Sequence, residues 1–116
     1  MSNGEEMAID AAEFRRIMGH FATGVTVVTS LRGEEGAPCG LTANTVTSVS
    51  LRPPLILICV EKGADSHDCI LEAGCFAVNI LAVDQERLAR RFASWEVDEK
   101  FRGLPIRTEV TGAPIL

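Results

Sequence analysis

Between Gly40 and Pro54 the chain reads Gly40-Leu41-Thr42-Ala43-Asn44-Thr45-Val46-Thr47-Ser48-Val49-Ser50-Leu51-Arg52-Pro53-Pro54. Short polar side chains alternate there with β-branched ones, and the run stops at two prolines. In a strand successive side chains point to opposite faces, so Thr45, Thr47 and Val49 are expected on one side and Asn44, Val46 and Ser48 on the other. No bulky side chain keeps a flat ring off this backbone, and the hydroxyls and amide supply donors and acceptors at close spacing. An ordinary surface strand has the same composition, because threonine favours strands. Further on, Glu61-Lys62-Gly63-Ala64-Asp65-Ser66-His67-Asp68 leads into a predicted helix. Free backbone N–H groups at the helix start, with Lys62 and the Ser66 hydroxyl, suit an anion such as a phosphate. Asp65 and Asp68 oppose that charge, and a plain helix-capping loop is the alternative. His67 is read equally as a surface group or a ligand.

The elements that must position these residues are legible from patterning. Asp10 can cap a helix through Ala11–Met18, with Glu13 closing a capping box and Gly19 ending it. Phe14, Ile17, Met18 and Phe21 share one face at helical spacing and are expected in the core. A β-branched strand follows at about Thr23–Ser30, then a turn at Gly33-Glu34-Glu35-Gly36 into the second strand. Pro53-Pro54 cannot donate to a ladder, so the pair marks the break before a buried third strand, Leu55–Val60. A helix is expected over Ser66–Ala73, capped by Asp65 or Ser66 and stopped by Gly74. Cys75–Leu81 reads as the fourth strand, Asp84 as the cap of a helix through Ala93, and Ser94–Pro105 as irregular and charged. A final strand starts near Ile106.

At 116 residues the chain is one domain, with a core large enough to need no metal or disulfide. No apolar run approaches the roughly 20 residues needed to cross a bilayer, so no membrane span is expected. Met1–Asp10 carries Glu5, Glu6 and Asp10 without a basic start or apolar stretch, so no secretory signal is read and the expected address is cytoplasmic. A net charge of −5 argues against a nucleic-acid surface. The one basic cluster, Arg87, Arg90 and Arg91, is either a solvated helix face or a contact for dinucleotide phosphates. Cys39, Cys59, Cys69 and Cys75 form no Cys-x-x-Cys pair, and with His20 and His67 they make no metal-ligand spacing. These thiols are expected to stay reduced, with Cys59 a small core residue.

In order and separation, TGVTVVT, GLTANTVTSVSLRPP, Leu55–Val60 and GCFAVNIL resemble the flavin reductase-like family, from about Phe14 to Pro114. The resemblance implies a mainly β fold: an antiparallel split β-barrel of the Greek-key, FMN-binding type with a few short helices. Residues 1–12 are then a tail and helix start, and 13–116 the domain. It implies a site for FMN or FAD: Thr42, Ala43, Asn44 and Thr45 at the ring edge, Ser48, Val49 and Ser50 along the ribityl chain, and Lys62, Ser66 and His67 around the phosphate. Phe92 or Phe101 would stack on the ring. The implied activity is hydride transfer from NADH or NADPH to the flavin, with no catalytic acid or base. The implied partners are a second copy of the chain and a monooxygenase that takes the reduced flavin. Family domains generally run further, so the strands after Thr111–Leu116 that complete the barrel are expected to be missing, leaving edges for another chain to cover. The alternatives are a flavin-binding or dimerising module without reductase turnover, and a structural β domain without a cofactor.

Overall fold

The computed structural model describes residues 9–21, 23–32, 36–94 and 99–116. The tail up to residue 8, most of the turn predicted at Gly33–Gly36, and residues 95–98 of the charged stretch lie outside the described residues.

Helix α1 (Ala11–Met18) starts where Asp10 predicts it, with the Asp10 carboxylate accepting the Glu13 N–H at 2.8 Å. Glu13 does not close the predicted box, because its carboxylate accepts from Arg16 at 3.0 and 2.6 Å. The hydrogen bond from that guanidinium holds the Glu13 carboxyl below its ordinary pKa. The apolar face expected in the core is open: Phe14 is 48% exposed, Met18 50% and Phe21 68%.

Strand β1 (Thr26–Arg32) is the centre of the molecule, paired antiparallel with β2 (Ala37–Ala43) on one edge and β5 (Ala77–Ile80) on the other. Helix α2 (Asp65–Ala73) packs on β1 and β2, and α3 (Glu86–Ala93) packs chiefly on β2. Paired on both edges and covered by helix, Thr26 to Ser30 are buried without a break. Their hydroxyls are satisfied by main chain: Thr26 donates to the Ala43 carbonyl, Thr29 to Pro114 and Ser30 to Cys75. β6 (Arg107–Thr108) and β7 (Pro114–Ile115) form a short antiparallel ladder, which brings Pro114 to Thr29.

The expected second strand is two strands, β2 and β3 (Val46–Leu51), broken at Asn44-Thr45. β3 turns through a cis Arg52–Pro53 bond into β4 (Pro54–Ile58). Pro54 opens β4 opposite Leu51, at the first position of a strand, where its missing N–H is tolerated. The ladder shifts between Ser48 and Ser50, so Val49 is a bulge and the two-face alternation predicted for this ribbon fails there. The third strand is not buried: Leu55, Ile56 and Leu57 are each about half exposed, and Cys59 just beyond is exposed, not core.

The side-chain caps predicted for the other two helices are corrected. The N-cap of α2 is Ala64 and that of α3 is Gln85, and neither side chain caps its helix. Gln85 instead accepts the Ala82 N–H at 2.7 Å, fixing the turn that holds Asp84. Gly74 does stop α2, in the left-handed region at φ 69° that glycine adopts without strain. The expectation of four reduced thiols is also overturned: Cys39 on β2 and Cys69 on α2 form a disulfide across 30 residues, because the packing of α2 on β2 brings them together. Among the described residues no helix is long and apolar enough to cross a membrane. The architecture is mainly antiparallel β with three short helices, as expected.

Candidate functional site

A groove of about 710 Å³ opens along β2. Ala37–Thr42 form its floor, Glu61 and Ala64–Ser66 one wall, and Phe92–Ser94 with Glu99–Arg102 the other. The second wall is built from Phe92 upward. Phe92 is 1% exposed, and a Cβ on Gly40 would stand 2.9 Å from its ring, so only glycine at 40 lets α3 come this close to β2. Phe101 meets Phe92 edge to face, with centroids 4.9 Å apart and an interplanar angle of 82°. The Glu99–Arg102 segment is tied to α3 at its main chain: Arg91 Nη2 donates to the Glu99 and Arg102 carbonyls, and Lys100 Nζ to the Phe92 carbonyl at 3.1 Å. Lys100 thus places a cation at the helix C-terminus, where the dipole favours it.

Of the residues assigned from sequence, the groove holds Thr42 and Ser66. Thr42 Oγ1 donates to the Ala89 carbonyl, and Ser66, 5% exposed, donates to the Gly40 carbonyl at 3.0 Å. Both hydroxyls therefore fasten helices to β2. Ala43 is buried, while Asn44, Thr45, Ser48 and Val49 are exposed and Ser50 is half-buried. Thr45 Oγ1 reaches the Cys59 carbonyl at 3.1 Å, which sets the Asn44-Thr45 corner against the end of β4 where the Glu61–Ala64 loop begins. At that loop Lys62 is exposed and its ammonium is free of partners among the described residues. The first turn of α2 has no side-chain cap; the His67 N–H donates to the Ala64 carbonyl at 3.0 Å, which leaves the N–H groups of Asp65 and Ser66 to meet an acceptor. Asp65 and Asp68 share this turn, and His67 Nδ1 lies 3.1 Å from Asp68 Oδ1.

The aromatic and basic candidates are redistributed. Phe92 is packed into the protein and has no face left for a ligand ring, whereas Phe101 lines the groove half-buried. Arg90 pairs with Glu86 at 2.7 Å on the solvent side. Arg91 turns inward to the strap, with its Nε buried and unpartnered. Sequence reasoning missed this use of Arg91 and Lys100, since grips on carbonyl oxygens leave no mark in the residue types gripped. It also missed Asn79. Its amide donates to the Val27 carbonyl at 2.8 Å and to Thr29 Oγ1 at 3.1 Å, and accepts the Leu116 N–H at 3.0 Å.

A family profile described as the flavin reductase like domain matches residues 18–116. The chain belongs to that family. Among flavin reductase-like relatives, the reductase subunit HsaB of a flavin-dependent monooxygenase from Rhodococcus jostii is 39% identical over 109 residues, covering 94% of this chain and 54% of that protein. An NADH-dependent FAD reductase from Streptomyces globisporus is 45% identical, covering 92% and 59%. The solved structure of a nitrilotriacetate monooxygenase component B from Mycobacterium thermoresistibile superposes with a TM-score of 0.84 at 42% identity, over 94% of this chain and 59% of that one. This chain spans about half the length of the curated relatives it matches.

The residues present fit a flavin nucleotide. The ribbon from Asn44 to Ser50 is slim and open, and the loop beside it carries an uncommitted lysine and an uncapped helix start. Asn44, Thr45, Ser48, Val49 and Ser50 would meet the ring and ribityl chain, and Lys62 with the α2 N–H groups the phosphate. Ser66 would act from beneath, by holding that turn on β2.

Proposed function

We propose that this chain is the flavin-holding part of an NAD(P)H-dependent flavin reductase that passes reduced FMN or FAD to a partner monooxygenase. The observation that carries the reading is the Thr45–Cys59 link, which sets the open polar ribbon next to the uncapped, lysine-bearing start of α2. Similarity to an NADH-dependent FAD reductase and to reductase subunits of monooxygenases supports it. When bound, the flavin supplies the hydride acceptor, and the protein contributes placement and exclusion of water. Thr42, Gly40 and Phe92 keep β2 rigid under the site, and Lys62 supplies charge. Titration with FMN, then NADH and NADPH oxidation dependent on added FMN, tests the reading. Flavin binding without oxidation by either nicotinamide leaves the second reading, a binding module without turnover.

Lys62→Ala should weaken FMN by about tenfold, the low end for a charge-assisted hydrogen bond because Lys62 is exposed. Riboflavin, which lacks the phosphate, should bind the variant as it binds the native chain. Fluorescence quenching of both ligands decides it, and equal losses would remove Lys62 from the phosphate site.

We further propose that two copies pair through the open apolar faces. Phe14, Ile17 and Met18 on α1, and Leu55, Ile56 and Leu57 on β4, are each about half exposed, so each element presents a row of apolar side chains of the kind a partner surface covers. Sedimentation should give twice the chain mass, and Ile56→Asp should return it to one. A monomeric native chain at micromolar concentration would end this proposal.

A further inference from the structure

Two fasteners join α2 to β2, one helical turn apart. Ser66 donates to the Gly40 carbonyl, and three residues on, Cys69 is bonded to Cys39, the neighbour of Gly40. Residues three apart share a helix face, so both links pull the same side of α2 onto the same point of β2. Their position matters for the site. Ser66 lies in the uncapped first turn beside Lys62, and Cys39, Gly40 and Ser66 all line the groove. Cys69 is 1% exposed, whereas Cys39 is half-buried, so a reductant approaches from the groove on the Cys39 side.

We infer that the Cys39–Cys69 bridge is a redox control on ligand binding. Closed, it holds the first turn of α2 in register with β2. Opened by a dithiol, it leaves the Ser66–Gly40 hydrogen bond and the packing of α2 on β1 and β2 to hold that turn, and loosens the grip on the ligand's phosphate. The inference rests on the flavin reading above. The step is thiol–disulfide exchange. One thiolate of the dithiol attacks Cys39 Sγ, the Cys39–Cys69 bond breaks, and Cys69 leaves as a thiolate that takes a proton. The second sulfur of the dithiol then attacks its partner in the mixed disulfide and releases Cys39 as a thiol. Two electrons and two protons pass to the bridge, and the dithiol becomes a disulfide. Linkage makes the effect reciprocal: whatever factor reduction costs in flavin affinity, bound flavin resists reduction by the same factor. A tenfold difference would lower the bridge's potential at saturating FMN by about 30 mV.

The test uses the 116-residue chain carrying Cys59→Ser and Cys75→Ser, so that only the bridge titrates. FMN and riboflavin are titrated against the oxidised protein, and against protein reduced with a dithiol and desalted without oxygen. Thiol counts confirm each state, and circular dichroism confirms that each is folded. Reduction should raise the FMN dissociation constant by about tenfold and that of riboflavin by less than about twofold. Cys39→Ser should match the reduced protein in both oxidation states. If Cys39→Ser does not fold, the reduced native pair gives the same comparison. Equal FMN affinity in the two states, or parallel losses for FMN and riboflavin, overturns the inference while leaving the flavin reading in place. If oxidised protein does not bind FMN, the flavin reading falls and the inference with it.

Discussion

Phe92→Ala is expected to lower the unfolding free energy by about 3–5 kcal/mol, the cost of emptying a fully buried aromatic site. The surroundings of Phe92 explain why the value should not fall below that range. Its ring rests on a glycine at one side and on Phe101 at the other, at 4.9 Å between centroids. A backbone cannot swing into the void as a side chain can, so the cavity stays open. The loss should extend past the core. Phe101 loses its edge-to-face partner, and the wall of the groove opposite Ser66 should become more accessible, seen as faster amide exchange over residues 99–104. Urea denaturation measures the first effect, and a loss under about 1 kcal/mol would show that the Gly40–Phe92 contact is not where the core is anchored.

Asn79→Leu should cost about 2–4 kcal/mol, although leucine is apolar and similar in size. Asn79 makes three bonds across three separate pieces of chain: Val27 and Thr29 on β1, its own strand β5, and the terminal Leu116. Leucine would leave the Thr29 hydroxyl with one partner, the Pro114 carbonyl, and the Leu116 N–H with none from Asn79. The part-buried Leu116 N–H loses its acceptor and the Val27 carbonyl and Thr29 hydroxyl each lose a donor, and an unmet polar group costs more than the bond it made contributes. The loss should be uneven, with residues 113–116 released from the sheet and cut first by a carboxypeptidase while β1 and β2 remain protected. A uniform, small destabilisation would contradict the role given to Asn79.

The elements were legible where local chemistry sets them. Asp10 begins α1, Gly74 ends α2, and the valine- and threonine-rich run at Thr26–Ser30 is the buried strand. What failed depends on contacts between distant parts of the chain. Phe14, Ile17 and Met18 have helical spacing, but periodicity names a face without saying what covers it. The same holds for Leu55–Leu57, which read as a core strand and lie half open. Cys39 and Cys69 carry no spacing signal, because their bridge follows from packing α2 on β2. The bulge at Val49 adds one residue to a ladder, which alternation alone cannot foresee. Within the candidate site, residue types marked a slim polar ribbon that the structure leaves open, and a loop whose Lys62 is exposed. They could not show that Thr42 and Ser66 are already engaged by Ala89 and Gly40.

Arg91 has a consequence for how this fold can change over time. It holds the strap by the carbonyls of Glu99 and Arg102, and every amino acid offers a carbonyl. The strap, Glu99–Arg102, can therefore exchange the side chains at 99 and 102 while Arg91 and the Phe92–Phe101 contact hold its course. That makes the stretch a natural cassette, in which lineages, or an engineer, can reshape one wall of the groove without rebuilding the scaffold beneath.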